Sequence, residues 1–302
     1  MGLYPPIVSS NPPVLTRRYG AVEWFVDGSN GSDSGSRPGN RPEKPLLTIK
    51  EAISRCNSGE QNIINVIAPG HVAEVNPIVI DKQFVTVRGW PSQSPSGYSP
   101  CTLVATVDAA YFTIAAQDVC IRDFTIHGGA SHPVINYSPV AWSFRTVIHN
   151  VTFMAGTWGI AQGSLTAAGF VADAPSHNWA ITECKFPAGL SVGGIMLASN
   201  GSWGVVENNF FEWQGFGVYG HPTCQSAGVR VRGNQFMLPV DTVVGNAVYV
   251  GTQATRWIVS DNDANDNSTT AAASNPYFDQ ANASTWYRNT VTSAGFTCQA
   301  PD

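Results

Sequence analysis

Apolar and polar residues alternate along this chain in short strokes, and the strokes change rhythm once. Trp24-Phe25-Val26 runs into Asp27-Gly28-Ser29-Asn30-Gly31-Ser32-Asp33-Ser34-Gly35, a strand giving way to a polar loop. Leu46, Ile49, Ala52 and Ile53 then fall at helical spacing behind Pro45, a residue suited to a first helical turn. This is the one convincing helix in the pattern. Asn62–Ala68 reads as a strand closed by Pro69-Gly70.

Beyond residue 80 the chain repeats a motif, apolar-x-polar-x-x-apolar, counting Gly as polar. It occurs as Ile121–Ile126, Ile148–Phe153, Ile181–Phe186, Val205–Phe210, Val231–Phe236 and, more weakly, Ile258–Asp263, with a frayed seventh copy from Trp286. The leading positions are 24 to 33 residues apart. A β-sandwich would place strands every ~8–12 residues without repeating one chemical pattern. A repeat in the mid-twenties instead suits coils that bury their apolar faces only by stacking. The expectation is an all-β chain, a right-handed parallel β-helix with one short N-terminal capping helix.

Stacking puts equivalent positions of successive coils ~4.8 Å apart. The polar position then reads Asp123, Asn150, Glu183, Glu207, Gly233, Ser260, which makes Glu183 and Glu207 expected neighbours. Two carboxylates that close split their pKa values and can serve as acid and nucleophile in glycoside cleavage. Glu212, beside Trp213, is a third candidate. The competing reading is a column of turn residues capping backbone groups. Trp158, Trp213 and Tyr219 are candidate sugar-stacking rings, against the alternative that they fill the core or a subunit contact. Trp203 and Phe211 are expected to be buried.

Composition narrows the function. Only 12% of the 302 residues are charged and just four are Lys, against 21 Asn and 29 Gly. Helical proteins with charged outer faces, disordered chains and basic nucleic-acid binders are poor fits to this profile, given nine Trp and a net charge of −5. No apolar run approaches the ~18 residues of a membrane span, so no membrane insertion is expected. The six Cys form no CxxC pair and read as buried thiols. Asp261–Asn267 alternates oxygen-bearing residues but lacks the Gly and Glu of a calcium loop. No metal and no cofactor is expected. Gly193-Gly194 and the pair Gly215 and Gly217 read as turn glycines.

The strand and loop of Trp24–Gly35, followed by Arg41-Pro42-Glu43-Lys44-Pro45-Leu46-Leu47-Thr48-Ile49-Lys50-Glu51-Ala52-Ile53, resemble the opening of the pectate-lyase-like right-handed β-helix superfamily. That family holds pectate lyases, polygalacturonases and many bacteriophage tailspikes and virion appendages, and the chain looks like a short phage member. The resemblance implies a homotrimer. Residues 1–23, Pro-rich and without a basic start or apolar stretch, read as an extended arm docking on other virion proteins. Residues 24–60 read as the opening strand, loop and capping helix, 61–290 as the β-helix and 291–302 as a C-terminal tail. Three functions follow: a structural virion appendage, tailspike-like or capsid-decorating, that binds host-surface glycan; a polysaccharide hydrolase or lyase; and a capsid cement without ligand. In each case the expected location is the virion, assembled in the host cytoplasm.

Overall fold

A computed structural model describes residues 21–36, 38–67, 74–90, 101–138, 143–162, 164–166, 169–171, 176–198, 201, 203–212, 215–222, 225–238, 246–266, 277–280, 284–293 and 296–299. It is a right-handed parallel β-helix with one helix, Ile49–Arg55, among the described residues. The helix is short, and its free N-terminal donors are all met by side chains. Thr48 caps it by accepting from the Glu51 N–H, and Asp33 in turn accepts from Leu47 N, Thr48 N and Thr48 Oγ1. The buried Glu74 carboxylate takes the N–H groups of Ile49 and Lys50 at 2.8 and 2.7 Å. Ile49, Ala52 and Ile53 bury the inner face against the first coils.

Parallel pairing carries one apolar column up the solenoid through Trp24, Ile64, Val87, Ile121, Ile148, Ile181, Val206, Val231, Val259 and Trp286. Two expected positions shift by one: the column uses Val206 and Val259, not Val205 and Ile258. In both places the neighbouring residues are both apolar, so alternation alone left the register one residue loose.

The corrected register brings out what the repeat encodes. Counting the apolar column as first, the third position is Asp123, Asn150, Glu183, Asn208, Gly233, Asp261 and Arg288, all with φ between 50° and 64°. This left-handed kink bends each coil. Left-handed backbone costs roughly 1–2 kcal/mol for most residues and least for Gly, Asn and Asp, which is why those types dominate the column. A second left-handed corner lies three residues before the first position, at Asp118, Arg145, Asn178, Trp203, Gly228 and Arg256. There the Trp203 ring, only partly buried, covers Gly228, where a Cβ would meet it at 2.8 Å.

The fourth position turns inward. In the later coils it is Asn209, Asn234, Asn262 and Asn289, all buried. Each Asn Oδ1 accepts the backbone N–H of the coil before it, and each Nδ2 donates to a backbone carbonyl, as Asn209 does to Ile181 at 3.0 Å. The sixth position supplies a second column, Phe153, Phe186, Phe211 and Phe236, with rings stacked 4.6 to 4.8 Å apart. Phe211 is fully buried. Gly159, Gly194 and Gly217 face this stack. A Cβ on any of them would come within 2.6 Å of a Phe ring. Gly194 and Gly217 therefore sit inside strands, Leu190–Leu197 and Phe216–Gly220, rather than in turns. Their bareness makes room for aromatic rings.

The C-terminal end departs from the parallel pattern. Thr290–Ser293 pairs in parallel with Asp263–Asp266 on one side and antiparallel with Phe296–Gln299 on the other. The run expected to fail as a calcium loop is built into this region. Asp263–Asp266 is a strand, Asn262 belongs to the buried ladder, and Asp261 pairs with Arg288 at 2.8 Å. The expected docking arm lies, up to residue 20, outside the described residues.

Candidate functional site

The second position of each coil sits on the outer side of the kink and concentrates the chain's scarce charge. Register aligns Asn65, Arg88, Arg122, His149, Thr182, Glu207, Arg232, Ser260 and Tyr287 along the axis. With the third-position residues beside them they form a polar ridge. Pairing within it is dense. Arg88 Nε donates to Asn65 Oδ1 at 2.7 Å, and Arg122 Nε to Asp123 Oδ2 at 2.6 Å. Asn150 Nδ2 donates to the other Asp123 oxygen at 2.8 Å. Glu207 is gripped by Arg232 through Nε and Nη2. Arg288 holds Asp261 and lies 5.3 Å from the Tyr287 ring.

The densest patch spans the coils of Arg122, His149 and Thr182. Burial is the largest influence on Arg122 and disfavours its charged form. The hydrogen bond and charge of Asp123, with Cys120 and Glu183 adding, together outweigh it and hold its pKa above the usual value. His149 Nδ1 lies 3.0 Å from Thr182 Oγ1, and its Nε2 lies 3.9 Å from Glu183 Oε2. Burial pushes the His149 pKa below the usual imidazole value, and nearby Arg122 adds to this; Glu183 and Asp123 pull the other way without reversing it. At neutral pH the imidazole is therefore uncharged. Thr182, His149 and Glu183 follow one another as a nucleophile, base and orienting acid would. Yet Thr182 is 6% exposed, and a reacting carbon has little room to reach its hydroxyl.

The register separates the candidate acids. Glu207 stands opposite Thr182, one position before the kink, while Glu183 is at the kink itself and aligns with Asn208. Glu183 and Glu207 are therefore joined through the backbone, Glu183 N to Glu207 O at 3.2 Å, and do not share a side-chain column. Glu183 is 56% exposed on the ridge, whereas Glu207 is tied to Arg232. Glu212 is exposed on Phe210–Glu212, opposite Met237.

The aromatic candidates lie on the second sheet. Trp158 is 5% exposed and stacks on Phe216 at 6.2 Å and Tyr219 at 5.8 Å. The column continues from Tyr219 to Tyr249 at 5.0 Å and to Phe278 at 5.3 Å, with interplanar angles of 30° and 22°. Rings stacked this way cover one another's faces, so the column offers mostly edges to solvent. Phe278, 38% exposed, is its open end. Trp213 lies outside the described residues. The ion-pair ridge was not foreseen as a unit; the one signal for it was the polar residue that follows each leading apolar position.

No family model matches the chain, and no curated protein matches it in sequence. Solved structures do. Over 90% of this chain and 77% of the other, it superposes on the pectate lyase Pel9A with a TM-score of 0.54 at 12% identity. The fold is that of the pectate-lyase-like right-handed parallel β-helices. Among such β-helices it is also similar to PfbA, a surface adhesin of Streptococcus pneumoniae, with TM-score 0.51 and 13% identity over 82% of this chain and 75% of that one. A Geobacillus virus E2 protein, ORF18, aligns over 89% of this chain and 61% of its own, at 13% identity and TM-score 0.45.

Proposed function

We propose that this protein is a glycan-binding β-helix borne on a bacteriophage particle, and that the ridge around Arg122, His149 and Glu183 is its binding surface. The observation that carries the reading is that patch: planar polar side chains from three successive coils, Arg122 and His149 half-buried and Glu183 exposed, come together on the ridge. Sugars are recognised by such groups, because guanidinium, imidazole and carboxylate can each meet hydroxyls in fixed directions. Arg122 keeps further donors beyond the Nε committed to Asp123.

Binding is favoured over cleavage. A glycosidase of the usual kind needs two carboxyl groups flanking one bond, one of them with a raised pKa. Asp123 is buried between Arg122 and Asn150, and Glu207 is neutralised by Arg232, which leaves Glu183 alone on the patch. The fold is compatible with either outcome, since its structural neighbours include a lyase and an adhesin. The virion setting and the trimer rest on the sequence resemblance of residues 24–53.

The test is a glycan array probed with the purified chain and with Glu183→Gln. Binding by the parent, lost in the variant, supports the reading. Reducing-end release from a polysaccharide, abolished in Glu183→Gln or Glu207→Gln, would replace it with the enzyme. Attachment to capsid shells without glycan binding would favour the cement. Imaging virions that lack the protein tests the setting, and sedimentation tests the trimer.

A further inference from the structure

The ridge begins differently from the way it continues. No residue of Asn62–Ile67 or Val85–Trp90 has a positive φ, so both strands run straight through the position that kinks at Asp123, Asn150 and Glu183. Unbroken alternation puts Arg88 and Trp90 on one face of their strand, with the buried Gly89 between them. Gly89 has no room for a side chain, because a Cβ there would collide with the Asp123 carbonyl. Trp90 is 44% exposed, unusual for so large an apolar group. It packs against Phe25 at 77°, with 6.4 Å between ring centroids, and keeps much of its surface in solvent.

Arg88 stands between these rings and Arg122. Register sets it directly opposite Arg122, on strands ~4.8 Å apart. Like charges so placed destabilise a sheet. Asp123, the carboxylate bonded to Arg122, is shared with Asn150, and Glu183 stands two coils beyond Arg122. Arg88 bonds instead to a neutral amide, Asn65 Oδ1, which is held in place by its own donation to the Trp24 carbonyl at 3.2 Å. The Nη groups of Arg88 meet no acceptor among the described residues.

We propose that Arg88 and Arg122, with Trp90 beside them, form a subsite for a sugar residue that carries an oxyanion, whether carboxylate, phosphate or sulfate. The Trp90 ring offers a flat apolar surface to the C–H side of a sugar. Guanidinium forks take an oxyanion through parallel N–H bonds. The anion also supplies the charge that two facing guanidinium groups lack. The inference rests on the glycan-binding reading above, extends its surface toward the first coils and specifies the kind of glycan.

The test is an array of matched pairs, each a neutral oligosaccharide and its glucuronic, phosphorylated or sulfated counterpart, probed with the full chain. Acidic members should bind about tenfold tighter or more, as expected of charge-assisted bonds, and the preferred acid identifies the anion. Arg88→Gln should bring the acidic members down to the neutral ones, while Arg88→Lys, which keeps the charge but not the fork, retains part of the preference. Trp90→Ala should weaken both members alike, since stacking does not sense charge, and Trp90→Phe should restore them. The urea midpoint of each variant establishes that it is folded. Equal binding of both members by the parent, a preference that survives Arg88→Gln, or undiminished binding by Trp90→Ala overturns the subsite and leaves the glycan-binding reading standing. A parent that binds no glycan overturns both.

Discussion

Asn209 donates twice to the same oxygen of Asn234, through its backbone N at 2.9 Å and its Nδ2 at 3.0 Å. Asn234 repeats the gesture toward Asn262, and Asn262 toward Asn289. Every buried polar group in the column is met by the coil above it or the one below. Asn234→Leu would leave the Asn209 backbone N–H and one Nδ2 hydrogen without their acceptor and remove the side-chain bond to the Val206 carbonyl. The expected cost is about 3 kcal/mol, read from the urea midpoint. An unchanged midpoint would mean that the ladder contributes no net stability.

The Phe column gives a second prediction. Phe211 is stacked between Phe186 and Phe236 and is fully buried. Phe211→Ala should cost ~3–5 kcal/mol. Gly194→Ala should cost ~1–3 kcal/mol, because the new Cβ would lie 2.6 Å from the Phe211 ring and 2.9 Å from the Gly217 carbonyl. Combined with Phe211→Leu, the Gly194→Ala penalty should shrink, and a double-mutant cycle measures that coupling.

Thiol chemistry follows from burial. Cys56, Cys101, Cys120 and Cys184 are buried thiols outside any disulfide, and desolvation pushes each up to about 12. A thiol held that far above neutral pH is almost never a thiolate. All four should resist an aromatic disulfide reagent in the folded protein and react once it is unfolded in guanidinium. Mass mapping of the labelled peptides identifies which thiols react.

Acid should weaken the fold before the carboxylates titrate. Burial lowers the pKa of His149, His177 and His221 in the folded state. Above the unfolded imidazole value of ~6.5 both states are neutral at these sites. Below it the unfolded chain binds protons first, so stability falls as pH drops. Tm should decline between pH 7 and 5, and the decline should be shallower in His149→Gln. An identical slope in the variant would remove His149 from the account.

The repeat was legible because coil chemistry recurs. The capping helix followed from spacing and residue type, and so did the kink residues Asp123, Asn150, Glu183 and Gly233 and the stacked Phe153, Phe186 and Phe236. Asn208, Asp261 and Phe211 each lay one residue beyond the expected position. Register was legible only where one neighbour was polar. Val205-Val206 and Ile258-Val259 gave no such contrast, and the one-residue slip moved Glu207 out of the column of Glu183. The strand glycines could not be placed from sequence, because what excludes a side chain at Gly194 is a ring seventeen residues away. The ridge was hidden for a related reason. Apart from Arg122 with Asp123, its ion pairs, such as Glu207 with Arg232, join residues separated by a whole coil.

Because Asn209 and Phe211 fill the same slots as Asn234 and Phe236, residues 206–230 are an interchangeable unit. Excising them would join Val205 to Val231, hand the Cys184 amide to Asn234 and lay Phe186 on Phe236. Duplicating them would insert one more rung with the same contacts above and below. The molecule's reach is thus a quantity that whole-coil loss or gain can change in steps of ~4.8 Å, with the Asn ladder and the Phe stack of the remaining rungs kept in register while surface pairs such as Arg232 with Glu207 are lost.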